Sequence, residues 1–135
     1  MENTEFAKPA DKLVLIVEDD EAIMDLLEFV VKKEGFRTEK AMDGEAGLSK
    51  AQRLSPDIIL LDLMLPKFGG FELMQELQNS KTASPPIVII SGCYSERFSD
   101  SMIKKEFNVR KFLQKPVTPQ VLAETLHDIL KTRRG

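Results

Sequence analysis

Asp62 closes an apolar run, Asp57-Ile58-Ile59-Leu60-Leu61-Asp62, and Leu63-Met64-Leu65-Pro66 and Gly69-Gly70 follow it at once. A carboxylate at the carboxyl end of a buried strand is placed for chemistry and not for packing. Three other apolar runs end in polar groups. Residues 13–17 lead into Glu18-Asp19-Asp20, residues 87–90 into Ser91-Gly92, and residues 112–114 into Lys115-Pro116. If these ends converge, Glu18, Asp19 and Asp62 put three carboxylates in one crevice. Such a cluster repels itself unless a cation or a proton neutralises it. Hard carboxylate oxygens, few and open to water, suit Mg²⁺ better than Zn²⁺. A Mg²⁺ ion can hold a phosphoryl group against a carboxylate and offset the charge that develops during transfer. Asp62 then fits the role of a nucleophile forming an acyl phosphate. Lys115 supplies a compact point charge for a phosphoryl oxygen, Ser91 a hydroxyl donor, and Gly92 an opening.

The elements that must carry these residues alternate along the chain. Strands are expected at 13–17, 37–41, 58–61, 87–90 and about 111–114. Helical spacing of apolar residues appears at Ile23, Leu26, Leu27, Val30 and Val31, then at Ala46, Leu48, Ala51 and Leu54, then at Phe71, Leu73, Met74 and Leu77. A fourth helix is expected over about 95–107, and a fifth through Leu122, Leu126, Ile129 and Leu130. Gly35 ends the first helix. Thr118-Pro119 reads as an N-cap followed by proline at the first helical position. The strand at 58–61 is apolar throughout, so both its faces should be covered. The polar strand at 37–41 suits a sheet edge. Alternating strands and helices imply a parallel, doubly wound α/β sheet with right-handed crossovers. In such a sheet the ligand crevice lies outside the carboxyl ends of the strands.

The 135 residues suit one domain with a full core. Residues 1–11 lack periodicity and read as an N-terminal tail; 12–133 form the domain, and the residues after the last helix are too few for an output module. A net charge of −3 gives no basic footprint for direct contact with nucleic acid. No apolar stretch is long enough to span a bilayer, and the acidic start is no signal peptide. A single cysteine rules out an internal disulfide and fits a cytoplasmic setting. With His127 the only histidine, the sequence argues against a His-rich metal site or a Ser-His-Asp triad at the strand ends. His127 itself reads as a surface or boundary residue.

Taken in order, Leu15-Ile16-Val17-Glu18-Asp19-Asp20, Asp43-Gly44-Glu45-Ala46, the stretch from Asp57 to Pro66 with Gly69-Gly70, Ile89-Ile90-Ser91-Gly92 and Phe112-Leu113-Gln114-Lys115-Pro116 closely resemble the receiver domain of two-component response regulators. The resemblance runs from about Lys12 to Arg133. It implies a flavodoxin-like fold of five helices around a five-stranded sheet in the order 2-1-3-4-5. It implies that Asp62 accepts a phosphoryl group from the phosphohistidine of a sensor histidine kinase or phosphotransfer protein. By the same resemblance Asp19 and Asp62 bind Mg²⁺ directly, Glu18 contributes through water, and the Met64 backbone carbonyl completes the protein ligands. Ser91 and Lys115 contact the phosphoryl group, and Lys115–Pro116 matches the family's cis peptide. Ser91, where threonine is commoner, and Phe112, where tyrosine is frequent, take the switch positions. Met64 and Cys93 take the positions that flank the acceptor and tune phosphoryl turnover. The output is a changed surface on the fourth helix, last strand and last helix, read by a protein target, with the chain a monomer or a phosphorylation-promoted dimer.

Plainer readings exist for each residue alone. Glu18-Asp19-Asp20 would suit a helix N-terminus, Ser91 a strand-end cap, Lys115 the surface, Phe112 the core, and Cys93 burial. Two other functions compete. An aspartyl-nucleophile phosphatase usually carries a second Asp two residues after the nucleophile, where this chain has Met64. A receiver-like binding module that is never phosphorylated would usually have lost one of the acids or the lysine, and all are present.

Overall fold

The computed structural model describes residues 6–63, 69–78, 85–92 and 108–133. Strands β1 (Leu13–Val17), β2 (Arg37–Ala41), β3 (Ile58–Leu61), β4 (Ile87–Ser91) and β5 (Val109–Gln114) form one parallel sheet in the order β2-β1-β3-β4-β5. Among the described residues the α-helices are α1 (Glu21–Lys33), α2 (Gly44–Leu54), α3 (Gly70–Gln78) and α4 (Pro119–Leu130). The helix expected over 95–107 lies outside the described residues, as do Met64 and Cys93.

Strand periodicity explains the layering. In β1, Leu15 and Val17 face one way and Val14 and Ile16 the other; in β3, Ile59 and Leu61 oppose Ile58 and Leu60. The first set packs with Ala51 of α2 and Leu73, Met74 and Leu77 of α3. The second packs with Met24, Leu27, Val30 and Val31 of α1 and Leu122, Leu126 and Leu130 of α4. Both faces are therefore buried, which is why these strands read as continuous apolar runs. The polar β2 stands at the edge as expected.

Helix ends follow local chemistry. Asp20, Asp43 and Thr118 each cap a helix by accepting from the backbone N–H of Ile23, Ala46 and Val121. Gly35, at φ +97°, turns the chain after α1 where a side chain would be strained.

Two local details differ from the sequence reading. β5 begins two residues early, at Val109, because Val109 pairs with Ile87 and fills the core. A bulge at Arg110 then breaks the alternation that would have revealed it. Residues 6–11, read as tail, are held against the domain. Ala7 donates its N–H to the Lys131 carbonyl at 2.9 Å and bridges Thr132, Pro9–Asp11 forms a 3-10 turn, and Arg133 stacks over Phe6.

Candidate functional site

Three backbone hydrogen bonds assemble the site by extending the sheet one step past the strands. Glu18 N–H donates to the Ala41 carbonyl at 3.0 Å, Asp62 N–H to the Val17 carbonyl at 3.1 Å, and Lys115 N–H to the Ser91 carbonyl at 2.9 Å. Each site residue is thus tied to the end of a neighbouring strand. The sheet brings Glu18, Asp62, Ser91 and Lys115 to its carboxyl edge, as the sequence runs implied. The Lys115–Pro116 peptide is cis.

Glu18 and Asp62 are buried, at 1% and 5% exposure, so their carboxylates have left bulk water. Lys115 joins them: its ammonium lies 2.7 Å from Glu18 Oε1 and 3.3 Å from Asp62 Oδ2. Glu18 Oε2 accepts from the Asp20 N–H at 3.2 Å. Glu18 Oε1 is fully enclosed, and among the described residues its only close partner is that ammonium, at an ion-pair distance without hydrogen-bond geometry. Burial, more than the nearby Asp62 charge, pushes the Glu18 carboxyl above its ordinary pKa, against the pull of Lys115 and the Asp20 N–H. Burial works to lower Lys115, but the Glu18 contact and the two carboxylates outweigh it, and the ammonium is held above the ordinary lysine value.

Asp19 is exposed and stands at the mouth. One carboxylate oxygen from each of Glu18, Asp19 and Asp62 lies within 4.8 Å of the others. Three carboxylates gathered this closely would share one cation, with Asp19 and Asp62 as the direct ligands and Glu18 acting through water. The enclosed Glu18 oxygen and the all-oxygen donor set fit Mg²⁺. Ser91 is buried at the end of β4, and among the described residues a Cβ at Gly92 would meet nothing within 4 Å.

Phe112 is half-buried and packs against the core cluster on the α2 and α3 face. Its register partner is Ile89, two residues before Ser91, so Ser91 and Phe112 present their side chains on the same face of adjacent strands. Beside Lys115 an apolar cleft of about 340 Å³ is lined by Ile23, Leu26, Leu27, Ile90, Pro116 and Val117.

The sequence reading missed one polar centre. His127, expected at the surface, is 7% exposed, with Nδ1 2.6 Å from Thr132 Oγ1 and Nε2 2.9 Å from Glu34 Oε1. The Phe36 ring lies against it, 5.0 Å between centroids. Its partners come from the end of α1 and the end of the chain, and no sequence spacing connects them.

Fold and pocket together define a flavodoxin-like α/β domain with an acidic, lysine-closed crevice. Residues 14–127 match the response regulator receiver domain family, and the chain belongs to it. Relatives include the alkaline phosphatase synthesis transcriptional regulatory protein PhoP of Bacillus subtilis (strain 168), 32% identical over 90% of this chain and 49% of that protein. The sensory transduction protein RegX3 of Mycobacterium tuberculosis (strain H37Rv) is 35% identical over 90% of this chain and 51% of its own length. The chain therefore spans about half the length of the curated relatives it matches. Among solved structures, a CheY-like receiver domain protein from Methanospirillum hungatei JF-1 superposes with TM-score 0.79 at 28% identity, covering 88% of this chain and 93% of that one. The chemotaxis protein CheY4 of Vibrio cholerae gives TM-score 0.76 at 28% identity, covering 88% and 98%. The general role that follows is phosphorylation-dependent signalling in a two-component system. No helix among the described residues is long and apolar enough to cross a membrane.

Proposed function

We propose that Asp62 is the phosphoacceptor and that a sensor histidine kinase or phosphotransfer protein supplies the phosphoryl group. One observation carries the reading: the Lys115 ammonium is ion-paired to Asp62 in a pocket that also holds Glu18 and Asp19. An Asp62 carboxylate oxygen attacks phosphorus, the P–N bond of the phosphohistidine breaks, and the imidazole leaves with its electron pair. Asp19, Asp62 and the Met64 backbone carbonyl would hold Mg²⁺ directly and Glu18 through water, and the ion would supply charge neutralisation. Lys115 moves its ammonium toward a phosphoryl oxygen, and Ser91 donates its hydroxyl to another. The cleft lined by Ile23, Leu26 and Val117 borders this crevice, so a donor protein reaching Asp62 would contact it. The chain acts in the cytoplasm as an acceptor and switch that assists its own phosphorylation and dephosphorylation.

Downstream, Ser91 and Phe112 relay the phosphorylated state to a protein partner on the face of the helix expected over 95–107, β5 and α4. Met64 and Cys93 set phosphoryl lifetime: a thioether and a neutral thiol are poor at orienting an attacking water. Acyl-phosphate decay should quicken in Met64→Asn and Cys93→Glu, and unchanged decay in both would count against that role. The acceptor assignment is tested by Asp62→Asn, which should abolish Mg²⁺-dependent labelling by a small phosphodonor while keeping the fold. Undiminished labelling of that variant would refute it.

A further inference from the structure

Gly69 and Gly70 differ in what surrounds them. Among the described residues, the nearest atoms to a Cβ on Gly69 belong to the carboxylate end of Glu72, at 3.2 Å, a flexible group that can swing away. A Cβ on Gly70 would stand 2.8 Å from the Asp62 carbonyl oxygen and 2.9 Å from Leu63 Cα, both backbone atoms, with Leu63 Cδ2 at 3.4 Å. Real Cβ atoms do not approach so closely, so the backbone would have to give. Gly70 is the first residue of α3, and α3 is anchored by fully buried Leu73 and Met74. On its other side the Asp62 peptide is tied through its N–H to the Val17 carbonyl. The Asp62 main chain is thus clamped between β1 and the bare start of α3.

We infer that Gly70 is a positioning residue: by leaving no side chain, it lets α3 abut the Asp62 peptide and so sets where the Asp62 carboxylate stands relative to Asp19 and Lys115. The inference rests on Asp62 being the acceptor. The Asp62 carboxylate is 3.3 Å from the Lys115 ammonium, and a displacement of the order of 1 Å is enough to cost on the order of a hundredfold in a positioned reaction. A methyl group at residue 70 therefore acts on the chemistry through Asp62, not through contact with the phosphoryl group or the ion. At residue 69 the nearest described atoms are those of the flexible Glu72 side chain, which can move aside.

The experiment compares native protein, Gly70→Ala, Gly69→Ala and Leu73→Ala for the maximal rate of acetyl phosphate labelling and the Mg²⁺ concentration giving half that rate. Melting temperature and the amide NMR shifts of Asp62 and Leu63 are followed in parallel. Gly70→Ala should remain folded, shift the Asp62 and Leu63 amides, lose roughly tenfold to a hundredfold in maximal rate, and need more Mg²⁺. Gly69→Ala should match the native protein. Leu73→Ala loosens the same helix without a group against Asp62, so it should melt earlier yet label at close to the native maximal rate. Equal rates in Gly70→Ala and Gly69→Ala would overturn the inference. So would a Gly70→Ala chain that does not fold, since the clash would then not be absorbed at Asp62, and so would a rate loss in Leu73→Ala equal to that in Gly70→Ala. Failure of the underlying site reading looks different: Asp62→Asn would label as well as the native protein.

Discussion

The Lys115 ammonium sits closer to Glu18, at 2.7 Å, than to Asp62, at 3.3 Å. The cation that would meet a phosphoryl group is thus held most closely by the most deeply buried acid of the site. Entry of an ion or a phosphoryl group has to redistribute this pairing.

That pairing has a pH signature. The folded Glu18 pKa is raised above 4.5, chiefly by burial. Above 4.5 and up to the raised value the folded chain keeps a proton that the unfolded chain has released. Stability therefore falls as pH rises through that window and stays lower beyond it. Lys115 runs in the opposite sense to a depressed group: its contribution is complete below 10.5 and is lost only as pH climbs through its raised folded value. In Mg²⁺-free buffer, Glu18→Gln should flatten the decline that begins above 4.5. Urea midpoints across that range provide the check, and an unchanged slope in the variant would remove Glu18 as the cause.

Mg²⁺ should raise the melting temperature of the unphosphorylated native chain. It binds carboxylates gathered only in the folded state, and a ligand at a hundred times its Kd adds about 2.7 kcal/mol. Asp19 is the exposed member of the cluster and contributes little to packing. Asp19→Ala should leave metal-free stability within about 0.5 kcal/mol of native while abolishing the Mg²⁺ increment. Calorimetry with and without Mg²⁺ decides it; a full increment in the variant would exclude Asp19 as a ligand.

Most of this site could be read from the sequence because chemistry at strand ends leaves a linear trace: an apolar run, then a polar residue. Asp62, Glu18, Ser91 and Lys115 each follow such a run, and parallel pairing then places them together. His127 leaves no such trace. Its partners Glu34 and Thr132 lie on other segments, and burial of a polar group is affordable only once those hydrogen bonds exist. The same holds for residues 6–11, whose order depends on Lys131, Thr132 and Arg133 at the other end of the chain.

His127→Ala should accordingly cost about 2–4 kcal/mol, combining a cavity beside Phe36 with the loss of both ring hydrogen bonds, to Glu34 and Thr132. These contacts lie near the amino end of the sheet, away from the acidic crevice, so labelling of the folded variant should be unchanged. Denaturant unfolding together with a labelling assay gives both readings. A cost below about 0.5 kcal/mol, the range of ordinary surface substitutions, would show that His127 is not a structural clasp.

The switch prediction depends on the register of β4 and β5. Phe112 pairs with Ile89, and Ser91 lies one pleat further along the same face, so a hydroxyl drawn toward Asp62 would vacate space on the side where Phe112 packs. Phe112 is half-buried against the core cluster, so a turn of its ring inward would add to its burial. Each state must differ in its contacts with phosphate for the equilibrium to move, and the Ser91 hydroxyl is the group that supplies that difference. Phosphorylation should therefore shift the amide and ring signals of Phe112 and the neighbouring Leu113 in the native chain. Ser91→Ala should still accept phosphate, because Asp62 and Lys115 remain, yet lose the Phe112 shift. NMR of both proteins in the labelled state separates the outcomes. Shifts confined to residues beside Asp62 in the native chain, or a Phe112 response that survives in Ser91→Ala, would defeat the proposed relay.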